Sequence, residues 1–114
     1  MRYGLSIPNF GDTWHPETLA TYAKEAEAAG WDGFFIWDHV LMGNLPTADS
    51  WIAMTAIALN TQHIKIGPLV TPLPRRRPVN LARETVTLDH LSHGRLILGV
   101  GIGMREWEDV SRSE

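Results

Sequence analysis

The sequence predicts an α/β fold built on a parallel sheet, and three observations support this prediction. Four strand-like segments alternate with three helix-like segments over the 114 residues. Each strand-plus-helix unit is about 30 residues long, which is the spacing of the crossover units that join parallel strands. The second strand-like segment is almost continuously apolar, as expected for a strand covered on both faces. Doubly wound sheets and barrels both begin with this order, so the alternation leaves both architectures open.

The first strand and the first helix are predicted within residues 2–30. Residues 2–8 alternate with a β-like bias and stop at Pro8-Asn9, a pair that favours leaving a sheet. Pro16 suits a first helical position, and the apolar residues that follow it recur every three or four positions. Gly30 fits the end of this helix.

The second unit begins with the apolar run from Gly33 to Trp37. This run has the length of a strand, and its polar end is Asp38-His39. After a loop rich in turn-forming residues, Asp49 or Ser50 can cap the second helix.

The third and fourth strands follow the same plan. Ile64 to Val70 form the third strand, and a loop from Thr71 to Arg77 leads to a helix that starts with a proline and ends at Gly94. Leu96 to Val100 form the fourth strand, which ends at Gly101-Ile102-Gly103.

Composition and charge exclude several classes of protein. With 44% hydrophobic and 20% charged residues, the chain has the balance of one globular domain. The net charge of −3 and the scattered basic residues argue against nucleic acid as a partner. Cysteine is absent, and no apolar run approaches the roughly 20 residues of a membrane helix. The sequence therefore predicts a cytoplasmic protein without a membrane segment.

The carboxyl ends of the predicted strands carry the candidate functional residues, because ligands of parallel α/β folds bind at that edge. They are Asn9-Phe10, Trp37-Asp38-His39, Val70-Thr71-Pro72 and the glycines from Gly99 to Gly103. Asp38 and His39 are consecutive and therefore point to opposite sides of a regular strand. Asp38 can orient His39, accept hydrogen bonds from a ligand, or simply cap a loop. His39 is the natural candidate for proton transfer near neutral pH.

The glycine-rich strand end does not match a dinucleotide fingerprint. The third glycine of G-x-G-x-x-G would fall at position 104, where Met104 stands. A glycine-rich bend that closes the fourth strand is the alternative reading.

Arg75-Arg76-Arg77 precede a predicted helix, where an anion is favoured by free amides. The reading that we prefer is a solvated loop whose arginines bind backbone carbonyls or pair with acids such as Glu84. His90 and His93 have a three-residue spacing without nearby carboxylates or cysteines, so no metal site is predicted. Hydrolase and triphosphate-binding motifs are absent.

Four segments together resemble the luciferase-like monooxygenase superfamily, and they run in order along nearly the whole chain. The last segment, Leu81 to Gly103, is the most specific match, because its leucine-aspartate pair, S-x-G-R-L turn and glycine-rich strand end occur together as they do in that family. The segments are Tyr3 to Asn9, Ala26 to Asp38, Ile66 to Pro78 and Leu81 to Gly103.

The resemblance implies a (β/α)8 barrel of the TIM type rather than a doubly wound sheet. It also implies an oxidoreductase or monooxygenase with reduced flavin or deazaflavin bound across the barrel mouth and a small organic substrate. We expect FMN, with coenzyme F420 as the alternative. Substrate identity is not readable from these residues.

Site roles follow from the same resemblance. His39 and Asp38 are the expected catalytic residues, and Thr71 is expected beside a strained backbone bulge that faces the cofactor ring. Met104 stands where aromatic residues are common, and His93 stands where glycine is usual, a departure that we expect to be harmless. The expected cofactor-binding residues are Asn9, Asp38, Thr71, Gly101, Ile102 and Gly103.

Residues 1–114 correspond to the amino-terminal half of such a barrel, with four strands and three helices, and residues 105–114 to a polar tail at the start of a fourth helix. A complete barrel takes about 250 residues and eight strands. Four strands leave two unpaired edges and an apolar inner face, so we expect a homo-oligomer or completion by further chain. The competing hypothesis is a non-catalytic half-barrel that serves only in dimerisation or assembly.

Overall fold

The computed structural model of the chain describes residues 1–103, and it confirms the alternation of strands and helices. Met104 and the tail predicted for residues 105–114 lie outside the described residues. The helices are α1 (Pro16–Ala28), α2 (Ser50–Asn60) and α3 (Pro78–Leu91). The strands are β1 (Gly4–Ile7), β2 (Gly33–Ile36), β3 (Lys65–Pro68), β4 (Thr71–Pro72) and β5 (Val100–Gly101), and short 3₁₀ turns occupy Gly11–Thr13 and Leu73–Arg75.

The strands lie side by side in the order of the sequence. β1 pairs in parallel with β2, and β2 pairs in parallel with β3. The predicted fourth strand lies next along, because Ile66 bridges Leu96 in parallel and β4 pairs in parallel with β5. A doubly wound sheet reverses its strand order at a switch point. The uninterrupted order is that of a barrel, so the predicted fold class is confirmed.

The third strand differs from its prediction as one continuous element from Ile64 to Val70. β3 ends at Pro68, the peptide bond between Leu69 and Val70 is cis, and Thr71, which was predicted as a loop residue, lies in β4. Five positions separate Ile66 from Thr71, whereas their partners Leu96 and Val100 are four positions apart. The third strand therefore holds one extra residue, which is the definition of a bulge.

The bulged third strand and the fourth strand leave no room for a side chain at Gly67. A methyl group on Gly67 would stand 1.8 Å from the carbonyl oxygen of Ile97, so no side chain fits there. The predicted fourth strand, Leu96 to Val100, pairs with the third strand at Leu96 and from Val100 onward, and the N–H of Ile97 and the carbonyl of Gly99 make the hydrogen bonds beside these two points.

One face of the sheet packs against the helices, and the other face is open. α1 and α2 pack against each other and cover β1, β2 and β3. The alternate strand residues Phe34, Ile36 and Ile66 are at most 1% exposed in this core. Within residues 1–103, no helix is long and apolar enough to cross a membrane.

Local signals for the helix starts are confirmed. α1 and α3 begin at the predicted prolines, Pro16 and Pro78. Asp49 is the N-cap of α2, and its carboxylate accepts a hydrogen bond of 2.9 Å from the backbone N–H of Ile52. This bond satisfies one of the helix-terminal amides that otherwise lack a partner.

A charged network joins the helices and strands at the amino ends of the strands. The carboxylate of Glu27, at the end of α1, accepts hydrogen bonds from the backbone N–H groups of Gln62, His63 and Ile64. Arg95 is 5% exposed and precedes the fourth strand. Its guanidinium donates to Thr61 Oγ1 and to the carbonyls of Ala58, Thr61, Ile64 and Ser92.

The network changes the proton affinity of Glu27. Burial raises the pKa of this carboxyl, but the three backbone N–H donors and the positive charge of Arg95 outweigh burial and hold the pKa below its ordinary value of 4.5. The folded chain therefore keeps Glu27 ionised at a pH where the unfolded chain already binds a proton. This stabilisation is complete above the unfolded pKa and is lost as the pH falls through the folded pKa.

Glu27→Gln should lower the free energy of unfolding by about 1–2 kcal/mol near neutral pH, because three hydrogen bonds to a charged acceptor are weakened at a partly exposed site. Chemical denaturation measures the change. The difference from the parent chain should shrink below pH 4.5. Glu25→Gln, on an exposed residue of the same helix, is the control. A Glu27→Gln effect that does not change with pH would contradict the network's role.

The turn after α3 places His93 in the left-handed region, with φ of 57°, before Gly94 with φ of 80°. A side chain in this conformation costs about 1 kcal/mol, which glycine avoids. This gives a physical reason for the glycine that the resemblance expects at this position.

His93→Gly should therefore raise the free energy of unfolding by about 0.5–1 kcal/mol, part of the gain being offset by the more flexible unfolded chain. His90→Gly makes the same change inside α3 and should lower stability by about 1 kcal/mol. Thermal denaturation of the two variants should shift in opposite directions. A loss of stability in both would show that the left-handed turn is not strained by histidine.

Candidate active site at the carboxyl ends of the strands

The side chain of Asn9 joins the ends of the first two strands. It is fully buried, its amide nitrogen donates to the carbonyls of His39 (2.9 Å) and Ala48 (2.8 Å), and its amide oxygen accepts from the N–H of His39 (3.2 Å). Both amide hydrogens are therefore used on backbone carbonyls. The arrangement fixes the backbone of His39, while the predicted contact of Asn9 with a cofactor stays a prediction.

Asp38 binds the loop that follows the third strand. Its carboxylate accepts from Thr71 Oγ1 (2.9 Å) and from Nη2 of Arg76 (2.7 Å), and the Asp38 side chain is 2% exposed. Arg75 donates to the backbone carbonyl of Asp38. Asp38 thus pairs across to the third strand, and the structure brings it together with Thr71 and Arg76.

The loop that contains Arg75, Arg76 and Arg77 agrees with its prediction in part. The expected pairing of an arginine with Glu84 is present at 3.6 Å from Arg76, and the expected bond to a backbone carbonyl is made by Arg75. The main partner of Arg76, the carboxylate of Asp38, was not predicted. Neighbouring parallel strands bring their carboxyl ends together. The presence of an acid, Asp38, after the second strand and a base, Arg76, after the third could therefore have indicated this ion pair.

His39 lies in a group of aromatic rings at the mouth of the sheet. Its ring centroid is 5.4 Å from that of Phe10 and 5.9 Å from that of Trp37, and Phe10 and Trp37 are 5.7 Å apart. The indole N–H of Trp37 donates to Ser6 Oγ at 2.9 Å. Trp37 was among the strand-end candidates but was given no role, and Ser6 was not predicted as a site residue. The signal was the alternation of the second strand, which places Trp37 on the side opposite the buried Ile36.

The end of the fourth strand meets the bulge. A methyl group on Gly101 would stand 2.6 Å from Cγ2 of Val70, and Gly103 has φ of 82°. Ile102 between them is 86% exposed. The strand register places Val100 beside Thr71 and Gly101 beside Pro72, and Gly103 also lies against Pro72.

A profile of the luciferase-like monooxygenase family matches residues 1–111. The chain belongs to this family. The F420-dependent glucose-6-phosphate dehydrogenase of Amycolatopsis mediterranei is 39% identical over 107 residues, a match that covers 89% of this chain and 30% of that protein. This chain of the luciferase-like monooxygenase family therefore spans about a third or less of the length of such curated relatives.

Solved structures of relatives agree with the barrel. The coenzyme F420-dependent tetrahydromethanopterin reductase of Methanopyrus kandleri superposes with a TM-score of 0.84 at 30% identity and covers 97% of this chain and 30% of that one. The oxygenating constituent of 3,6-diketocamphane monooxygenase of Pseudomonas putida, in complex with FMN, gives 0.76 at 28% identity, with coverage of 91% and 30%. The family and fold implied by the resemblance are confirmed, and both expected cofactors are named among these relatives.

Arg76→Met should lower the free energy of unfolding by about 3 kcal/mol, because it leaves the carboxylate of Asp38 buried without its cation. Arg77→Met removes a charge from the next, exposed residue and should change stability by less than about 0.5 kcal/mol. Urea denaturation of both variants measures the contrast. Equal effects of the two substitutions would show that the Asp38–Arg76 pair does not hold the loop.

Proposed function

We propose that this chain forms part of the cofactor site of an F420- or flavin-dependent oxidoreductase that acts on a small organic substrate. The observation that carries the proposal is the convergence of His39, Asp38 and Thr71 on one edge of the sheet. That edge is where parallel α/β barrels bind their ligands. F420 is our first choice and FMN the alternative, because the curated relative at 39% identity is named as F420-dependent.

The residues at this edge fit a flat heteroaromatic ring. Trp37 offers an aromatic surface, and Ile102 offers an exposed apolar side chain between two glycines that keep the backbone accessible. Gly101 and Gly103 are the further residues that would hold the cofactor, whereas Thr71, which was expected to bind it, is fully buried with its hydroxyl on Asp38 and would act by holding the loop. When bound, F420 or FMN supplies hydride transfer at its ring system.

The chain's own residues would supply proton transfer and positioning. His39 would transfer a proton to or from the substrate, since imidazole can do both near neutral pH. Asp38 was expected to be catalytic beside His39. We propose a positioning role for it instead, because its carboxylate is occupied by Arg76 and Thr71 and its side chain is 2% exposed.

An assembly role is the second candidate, and the open side of the sheet favours it. Apolar side chains along the last strands are exposed, and such patches mark association surfaces. They include Leu69, Val70, Ile97, Leu98, Val100 and Ile102. In this reading the chain associates with a second copy and takes no direct part in the chemistry.

Titration of the purified chain with F420 and with FMN, followed by cofactor fluorescence, tests the first proposal. Saturable binding is expected, tighter for F420. Ile102→Glu should weaken binding at least about tenfold, because it places a negative charge against an anionic cofactor. Ile52→Glu, at a 66% exposed residue of α2, is the matched control and should leave affinity unchanged.

Sedimentation of the same samples separates the two candidates. Binding that Ile102→Glu weakens and Ile52→Glu does not would support the cofactor site. A stable dimer that binds neither cofactor at high micromolar concentration would contradict it and support the assembly role.

A further inference from the structure

We propose that Trp37 is a positioning residue of this site: its indole, tied to Ser6, fixes the imidazole ring of His39 and offers its free face to a flat ligand ring. The inference rests on the proposed function for its ligand. Its first part, the hold on His39, is independent of any cofactor.

Trp37 directly follows β2 and points to the open side of the sheet. Phe34 and Ile36 are buried against the helices, so the alternate positions Phe35 and Trp37 point the other way. The ring of Phe35 lies over Gly33, where a methyl group would stand 2.5 Å from it. Trp37 comes one step further toward the carboxyl edge. Its ring therefore lines the mouth rather than the floor of the open face.

Two hydrogen bonds to the first strand fix the indole. The backbone N–H of Trp37 donates to the carbonyl of Ile7 at 3.0 Å, and its indole N–H donates to Ser6 Oγ at 2.9 Å. Indole has a single donor and no acceptor, so this bond satisfies all of its polar capacity. Both bonds lead to adjacent residues of one strand, and together they restrict the rotation of the ring.

The fixed indole in turn contacts the ring of His39. Trp37 and Phe10 approach that ring at 5.9 and 5.4 Å between centroids, and Phe10 meets it edge-to-face at 84°. These distances are within the range in which aromatic rings attract one another. Asn9 holds the backbone of His39 from both its N–H and its carbonyl. The backbone and the ring of His39 are thus held by separate groups.

Trp37 keeps part of its surface free for a ligand. It is 36% exposed although its N–H and one side of its ring are occupied. A rigid aromatic surface beside a proton-transfer group suits a planar, conjugated ring such as a deazaflavin or flavin, which gains from offset stacking. Trp31 has nearly the same exposure, 38%, but precedes the amino end of the same strand. It is therefore a control of equal size and accessibility at the opposite edge.

Nuclear magnetic resonance of the ligand-free chain tests the hold on His39. The ring currents of Trp37 and Phe10 should displace the imidazole proton signals of His39, which His39→Gln assigns among the five histidines. Trp37→Leu should move these signals toward their values in a disordered peptide, Ser6→Ala should do so in part, and Trp37→Phe should restore part of the displacement. Trp31→Leu should leave them unchanged. Signals that stay in place in both Trp37→Leu and Ser6→Ala would overturn the proposal.

Titration with F420 and FMN tests the ligand face. Trp37→Leu should weaken binding about tenfold, and Trp37→Phe should stay within about threefold of the parent chain because it keeps a ring. Circular dichroism verifies that each variant is folded. If Trp37→Leu does not fold, the Ser6→Ala variant replaces it in the titration. Unchanged affinity in Trp37→Leu overturns the stacking role alone. Absence of binding by the parent chain overturns that role together with the proposed function, while the ligand-free spectra still decide the hold on His39.

Discussion

The structure at the carboxyl edge of the sheet depends on the ion pair and the hydrogen bond that the buried carboxylate of Asp38 makes with Arg76 and Thr71. This carboxylate joins the second strand to the bulged third strand through Thr71 and Arg76, and Arg76 in turn reaches α3 through Glu84. Burying a charge is costly unless a partner and hydrogen bonds compensate it. Asp38 has both, so the loop after the third strand has one favourable position, and the start of α3 is set by it.

The amino edge is held by a second charged network with a different geometry. Glu27 and Arg95 bind mainly backbone groups of the turns that lead into the third and fourth strands. These contacts determine where those strands begin, whereas the contacts of Asp38 determine where the chain goes after the second and third strands end. Barrel residues at the two edges commonly divide in this way, with stability at the amino edge and function at the carboxyl edge.

Helix starts were predictable because their signals are local, as Asp49, Pro16 and Pro78 illustrate. The resemblance predicted a bulge beside Thr71, and the structure has one at Leu69–Val70; the residue pattern alone did not reveal it, because I-G-P-L-V has the pattern of a continuous strand and only pairing with the fourth strand shows the extra residue. The strand-end residues were predicted from topology, but their partners were not. Asp38 and Arg76 are 38 positions apart, and no local pattern encodes such a contact.

The two halves of the candidate site rely on different physics. Asp38 and Asn9 use directional hydrogen bonds to fix backbone, and they are buried so completely that little of them is left to meet a ligand. Trp37, Phe10 and His39 use ring contacts, which tolerate a partly exposed surface. A proton-transfer group has to be both oriented and accessible. His39, for which we propose proton transfer, meets both requirements, because the buried amide of Asn9 fixes its backbone, its ring contacts Phe10 and Trp37, and the residue stays partly exposed.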